Sequence, residues 1–342
     1  MNTTLKWYHK VCLEVLWAFL FLLSHTPRFF RYYMLKYLIA SILILVGYRK
    51  KVITRNLANS FPEKSADEIK RLCLCNYLFL GEVIVDTISL VGASEKRKRN
   101  AVNWTNRNEI NKKLDGKDWI AMGAHYGCWE YLPLWSMMQK SSTFMSVYHP
   151  LRSIVFEHFY QRLRKVSDNI AIVPMKNTIT YYLRNRNKGR GIILGLLSDQ
   201  SPNLRENSHW FKFLNQNTVF IDGAENIAMK FNIPIYFANT KRIAPGKYEV
   251  CLEELYDGQE EITQYTITER YKQRLEDMIK ENPSIWMWSH NRWRHTPERH
   301  SAVRLLTTVS MNSFLMLPSS TPVRQTRFSR QPLQVSVQAL RK

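Results

Sequence analysis

From Val52 onward, short apolar runs alternate with stretches of helical period, and this alternation confines the chain to one broad architecture. Candidate strands are Trp119–Ala124, Thr143–Tyr148, Ile170–Val173, Ile192–Leu197, Ile233–Ala238 and Tyr248–Leu252. Between and after them lie candidate helices at Trp129–Gln139, Ile154–Ser167, Thr178–Asn187, Asp222–Phe231 and Ile262–Glu281. A further helix running towards Val91 opens at Ser65-Ala-Asp-Glu68, where serine followed three residues later by glutamate is a capping-box pattern. Strands that alternate with helices cannot pair by tight hairpins. The pattern therefore predicts an α/β fold with helices packed on a central, largely parallel sheet. With 45% hydrophobic and 13% aromatic residues in 342, the chain has ample material for a core, which excludes wholesale disorder. A mean hydropathy of -0.32 excludes a polytopic membrane protein.

Two apolar runs precede this region: Val11–Leu23, interrupted by Glu14, and Tyr37–Tyr48, which carries no charge. Each is shorter than the ~20 residues that cross a bilayer core upright. His25-Thr-Pro-Arg28 separates them and breaks any continuous helix. A signal peptide fits poorly, because Glu14 sits in its apolar part and no small-residue cleavage site follows. A buried helical hairpin is the plain alternative. The favoured reading is a helical membrane anchor over 1–48, with Trp7, Tyr8, Tyr32 and Tyr33 at the interface and flanking arginines and lysines on anionic headgroups. The α/β region then occupies 49–298. Residues 299–342 hold seven basic and no acidic residues, are rich in Ser, Thr, Gln, Pro and Arg, and are predicted to be a disordered tail.

The formal charge of +21 divides as +4 over 1–48, +10 over 49–298 and +7 over 299–342. Such a surplus calls for an anionic partner: nucleic acid, a membrane surface or a phosphorylated substrate. Five cysteines without a CxxC pair read as reduced thiols in a protein facing the cytosol. Cys73 and Cys75 have no adjacent His/Cys pair to complete a zinc site, so no metal is expected.

Four stretches carry chemistry. Gly123-Ala-His125-Tyr-Gly-Cys-Trp-Glu130 follows a candidate strand and precedes a candidate helix, the usual position for a site in an open α/β sheet. On one continuous helix His125 and Glu130 would stand about 140° apart. They can meet only if His125 lies in the loop, Glu130 in the first turn, and Gly127 permits the bend. Glu130 would then fix the imidazole tautomer and leave the other nitrogen as a general base. A strand-end histidine and a glutamate at a helix N-terminus without catalysis would read the same way. Cys128 fits a packing residue better than a nucleophile. Leu197-Ser-Asp199-Gln200-Ser-Pro202 also ends a strand, and parallel strands would bring Asp199 to the same sheet edge as His125. There Asp199 could orient a hydroxyl or hold a basic residue, or simply cap a turn. Arg162, Arg164 and Lys165 lie on one candidate helix and suit phosphate or an oxyanion, or a solvated basic face. Trp286-Met-Trp288-Ser-His290-Asn-Arg292-Trp293-Arg294 interleaves aromatic and basic residues, as on a nucleic-acid platform, at a membrane interface or in a core.

Together these stretches resemble the late, secondary acyltransferases of bacterial lipid A biosynthesis, the lauroyl/myristoyl acyltransferase family. The resemblance starts with the apolar N-terminus leading into Arg49 and Arg55-Asn-Leu-Ala-Asn-Ser-Phe-Pro-Glu63. It continues through the His-x4-Glu of His125 and Glu130, the arginines Arg162–Arg164, Asp199-Gln200 and Gly223-Ala-Glu-Asn-Ile-Ala228, and closes at Trp286–Trp293. Glutamate at the fifth position favours this family over the similar glycerolipid acyltransferases, which carry His-x4-Asp. The tail departs from the family, whose members usually stop soon after the Trp-Arg segment.

The resemblance implies a glycerolipid-acyltransferase-like fold and an O-acyltransferase on the cytoplasmic face of the inner membrane. It would move an acyl chain from acyl carrier protein, or coenzyme A, to a hydroxyl of a lipid A precursor, with no cofactor and no metal. On this reading His125, Glu130, Arg162 and Asp199 are catalytic. His125 is the base, Glu130 its orienter, Arg162 the charge stabiliser and Asp199 a positioning group. Arg164 and Gln200 bind substrate. The expected partners are the carrier protein, the acceptor lipid and the anionic membrane surface, with no nucleic acid. Alternatives are an acyltransferase of the same fold acting on another polar lipid, or a basic membrane-peripheral or nucleic-acid-binding protein without catalysis.

Overall fold

The computed structural model describes residues 5–204 and 208–297. The tail expected over 299–342 lies outside the described residues. A seven-stranded sheet forms the centre, in the order β1-β9-β8-β2-β5-β3-β4. Its strands are β1 (Val102–Trp104), β2 (Trp119–Gly123), β3 (Ser142–Tyr148), β4 (Ile170–Pro174), β5 (Gly191–Leu197), β8 (Ile235–Ala244) and β9 (Lys247–Tyr256). Every neighbouring pair is parallel except the β8–β9 hairpin. The predicted mixed α/β class with a mostly parallel sheet is the class observed.

Period-two alternation explains how the strands are covered on both faces. Ile120 and Met122 enter one apolar cluster together with Met145 and Leu194. Trp119, Phe144 and Ile193 enter the opposite cluster. Both faces are buried beneath helices, which is why the strands read as continuous apolar runs.

Eight helices matter for the site. They are α1 (Trp7–Ser24), α2 (Lys36–Leu45), α3 (Lys50–Ser60), α4 (Ala66–Val91), α5 (Ile154–Arg164), α6 (Thr178–Asn185), α7 (Gly223–Phe231) and α8 (Thr266–Glu281). The capping box at the start of α4 is formed. The Ser65 side chain accepts from the Glu68 N–H, and the Glu68 carboxylate accepts from the Ser65 N–H at 2.8 Å. One predicted helix differs: Trp129–Met137 is a 3-10 helix. In an α-helix starting at Trp129, the Trp129 carbonyl would need the N–H of residue 133, which is Pro133 and has none.

α1 and α4 are long and apolar enough to cross a membrane, and Arg28–Leu45 with Lys50–Ser60 would form a third span bent by 95°. Their surroundings differ. Most of α4 is buried within the protein, whereas α1 turns Trp7, Val11, Val15, Phe19 and Leu22 outward. The other side of α1 packs through Leu13, Leu16, Trp17 and Leu20 on the second apolar cluster. The apolar N-terminal segment and the sheet share one compact unit that ends at Pro297.

Candidate active site

The site is built where two parallel strands stop together. β2 and β5 pair with Gly123 opposite Leu197, so the loops carrying His125 and Asp199 emerge side by side at the carboxyl edge of the sheet. The Ser198 N–H donates to the Gly123 carbonyl at 3.3 Å and joins the loops just past the strands. The Asp199 carboxylate then binds His125 twice. Oδ2 accepts the His125 backbone N–H at 2.9 Å, and Oδ1 lies 2.7 Å from Nδ1. The Trp286 indole N–H adds a third bond to Oδ2, also at 2.9 Å.

Asp199 is only 2% exposed. Burial alone would raise its pKa, but the charge and hydrogen bonds of His125, with the bond from Trp286, overcome that and hold it down to about 2. An ionised carboxylate only accepts, so Nδ1 of His125 carries a proton, and in the neutral imidazole Nε2 is the nitrogen with the lone pair. Nε2 lies 3.2 Å from the Gln200 side-chain amide nitrogen, at the floor of a cleft of about 760 Å³.

A strap of backbone holds this arrangement from the other side. Gly127 N–H donates to the Ile285 carbonyl, Met287 N–H donates to the His125 carbonyl, and Tyr126 bridges Trp286. Gly127 has φ +59°, and a Cβ there would come within 2.9 Å of the Tyr248 ring, so the bend needs glycine. The Trp-rich segment thus belongs to the core. Trp286 and Trp288 are buried, and buried Arg292 donates to the Val219 carbonyl at 2.8 Å.

Glu130 does not take the place expected for it behind His125. Its carboxylate forms a bidentate pair with Arg164 at 2.7 and 2.6 Å, and Asp199 occupies the imidazole Nδ1 instead. The reason is local. Glu130 sits in the first turn of the 3-10 helix, one chain segment away from the β2–β5 seam, while α5 presents Arg164 directly to it. The pair is buried, with side-chain exposures of 5% and 18%. Burial lowers the Arg164 pKa, but its bonds to Glu130 reverse this and leave it raised. Tyr148 and Tyr160 stand against the guanidinium at 5.9 and 5.2 Å from the ring centroids.

Arg162 does not line the cleft either. Two residues along α5 turn the side chain about 200° around the axis, and Arg162 reaches α1 instead. There Nη1 contacts both Glu14 carboxylate oxygens at 2.9 Å, and the guanidinium lies 4.0 Å from the Trp17 ring centroid. Of the six residues singled out in the sequence, His125, Asp199 and Gln200 meet directly, Glu130 and Arg164 form the adjacent pair, and Arg162 stands apart. Among the described residues, no three His, Cys, Asp or Glu side chains are grouped to hold a metal ion.

The sequence model of the bacterial lipid A biosynthesis acyltransferase family matches residues 7–295. The chain belongs to this family. A search of curated proteins returned no match.

As an acyltransferase, the chain presents features that spacing could not supply. Trp286 reaches Asp199 across 87 residues, and nothing in the Trp-rich segment marks one indole as the carboxylate's partner. The acyltransferase cleft also carries a polar cluster on its α5 side. Glu157 accepts from the Tyr148 hydroxyl at 2.5 Å and from the Leu151 N–H at 2.8 Å, and Gln161 donates to both Glu157 and Tyr148. Glu157 and Gln161 lie on α5 at i and i+4, a signal legible only once the helix face is known to border the cleft. Behind Trp129 and Glu130 a small apolar cavity continues towards Trp104, Trp119 and Phe144.

Proposed function

We propose that this acyltransferase moves a fatty acyl chain from a carrier thioester to a hydroxyl of a lipid A precursor. The donor is acyl carrier protein or coenzyme A, and transfer takes place on the cytoplasmic face of the inner membrane. The observation that carries the reading is the His125–Asp199 pair, which leaves a lone pair on Nε2 at the floor of an open cleft.

In the proposed step, Nε2 removes the acceptor hydroxyl proton as the oxygen attacks the thioester carbonyl carbon. A C–O bond forms, and the carbonyl electrons move onto oxygen. Collapse of that tetrahedral oxyanion breaks the C–S bond, and the thiolate leaves with the proton held on Nε2. No enzyme nucleophile is needed, because the acceptor supplies it. Asp199 fixes the tautomer and stabilises the imidazolium formed midway. Gln200, already against Nε2, is displaced by the incoming hydroxyl and is placed to donate to it or to the oxyanion. Arg164 supplies positive charge at the cleft wall for the oxyanion or a lipid phosphate, with Glu130 holding it in place. The lining of the small cavity behind Trp129 is apolar, which suits the end of an acyl chain rather than a sugar.

Mass spectrometry of lipid A from a strain lacking the gene tests the reading. One defined acyl chain should be missing, restored by the wild-type gene and not by His125→Ala, with the variant still present in the membrane fraction. Restoration by His125→Ala would overturn the mechanism. An unchanged lipid A in the deletion strain would overturn the acceptor.

A further inference from the structure

The cleft has two lips, and both are apolar where water would be expected. On one side Met175, Ile179 and Leu183 recur every four residues along the turn before α6 and α6 itself, which places them in one stripe. On the other side stand Leu151 and Phe156, at the start of α5. All five are between 43% and 50% exposed. α6 buries Thr178 and Tyr182 on its inner face, so among the described residues the stripe is on the half-exposed, outward part of the helix. Three of the five, Leu151, Met175 and Ile179, line the same cleft as His125.

Cations predominate around these lips, although Glu157, next to Phe156, also lines the cleft. No acidic residue occurs from Asn169 to Ser198 or from His149 to Phe156. Exposed Lys176 and Arg184 flank the stripe on α6, Arg152 flanks Leu151, and Lys230 lies at the cleft mouth. An outward apolar stripe bordered by cations is the composition of a helix lying in a bilayer interface beside anionic headgroups.

Continuity with α1 identifies the occupant. Trp17 of α1 packs on Phe159 with ring centroids 5.7 Å apart, and Phe159 packs on Phe156 at 6.5 Å. The inward side of α1 is therefore joined through Trp17, Phe159 and Phe156 to one lip of the cleft, which sets that lip beside the helix whose other side is apolar and exposed. We propose that the cleft mouth is itself a bilayer-docking surface. Leu151, Phe156, Met175, Ile179 and Leu183 insert among the acyl chains of an anionic leaflet, so the acceptor lipid enters the cleft sideways without leaving the membrane. The entry route rests on the transferase reading; the membrane contact does not.

The full-length protein in phosphatidylethanolamine/phosphatidylglycerol vesicles, doped with a photoactivatable phosphatidylglycerol tagged in its acyl chain, tests the contact. After illumination and digestion, lipid adducts should appear on peptides covering 150–156 and 175–184 as well as on α1. Adducts confined to residues 7–60 would overturn the proposal. A Phe156→Ser/Leu183→Ser variant, altering two lip residues that do not line the cleft, should lose the adducts on both lips. Its transfer to vesicle-embedded acceptor should fall about tenfold, the effect expected when two apolar side chains leave the interface. Transfer to acceptor dispersed in detergent should stay within about twofold, as expected of half-exposed side chains. An equal loss in vesicles and detergent, with a raised KM for the acyl donor, would assign the lips to the carrier protein and overturn the bilayer contact. If the wild-type protein shows no transfer in either medium, the functional reading fails, and the lipid adducts still decide the surface.

Discussion

Two regions of this protein are held by pairs of opposite charge, and they differ in what surrounds the pair. At the sheet edge, Asp199 and Glu130 are almost fully buried, and each is bound twice by one cationic or ionisable partner. At the seam between α1 and α5, one guanidinium nitrogen of Arg162 reaches both Glu14 carboxylate oxygens at 2.9 Å, within the range of the bonds at Asp199, with side chains 65% and 42% exposed for Glu14 and Arg162. Distance alone does not separate the two cases. Solvent does: buried charges have no water to replace a lost partner, whereas exposed charges are rehydrated at little cost. Arg162 and Arg164, two residues apart on α5, therefore belong to different problems: one fastens a helix, and the other completes a cleft.

The largest effect expected is at Asp199. Asp199→Asn keeps the size of the side chain but can present an amide N–H to Nδ1, which would favour the wrong imidazole tautomer. A loss of roughly 10³–10⁴ in kcat is expected, in line with orienting carboxylates of other His-based sites. Steady-state kinetics with matched circular dichroism checks it. A loss below tenfold with an intact fold would mean that the buried pair is structural, and the contrast with the α1–α5 seam would shrink to one of stability.

Arg164→Met comes next. It leaves the Glu130 carboxylate buried without its partner, and a destabilisation of about 3–5 kcal/mol is expected for a broken buried pair. The double variant Glu130→Met/Arg164→Met removes both charges and should recover most of that stability without recovering activity. Denaturant titration together with turnover separates the two contributions. If the double variant recovers turnover as well, the pair serves packing and not chemistry.

How much of this could be read in the sequence follows the same division. Strand positions were legible because both sheet faces are buried, which leaves unbroken apolar runs such as Ile192–Leu197. That Asp199 and His125 share one edge was legible from strand-end position. That Asp199, and not Glu130, serves the imidazole was not, because it depends on the register pairing Gly123 with Leu197. The hairpin of β6 (Trp210–Phe213) and β7 (Gln216–Val219) escaped notice because its turn is Leu214-Asn215. Both turn residues have positive φ, and Leu214, fully buried, gives none of the glycine signal such turns usually carry. The 3-10 helix at Trp129–Met137 was masked by its apolar content, although Pro133 was in plain view.

Acidification should probe the sheet edge with a smaller effect. The Asp199 pKa falls from the ordinary 3.8 to about 2 on folding, because its bonds with His125 and Trp286 outweigh the burial that would raise it. The folded value lies below the unfolded one. The carboxylate therefore favours folding above about pH 4, and that contribution, on the order of 2 kcal/mol, is lost as the pH falls towards 2. Melting curves between pH 5 and pH 2 should fall less steeply for Asp199→Asn than for the wild type. Parallel curves would show that this carboxylate has the same pKa folded and unfolded.

The smallest effect belongs to the seam. Arg162→Gln removes the contact with Glu14 and the stacking on Trp17, both partly in water, so about 1 kcal/mol or less is expected. Turnover on detergent-dispersed acceptor should change by less than about threefold, because the residue points away from His125 and Nε2 is untouched. Raising the salt should shrink the stability difference between Arg162→Gln and wild type, whereas the cost of Arg164→Met should hold, since exposed pairs are screened and buried ones much less so. A loss from Arg162→Gln as large as that from Arg164→Met would break the comparison. The docking of α1 on α5 would then control the geometry of Arg164, and membrane attachment and catalysis would be coupled through a single helix.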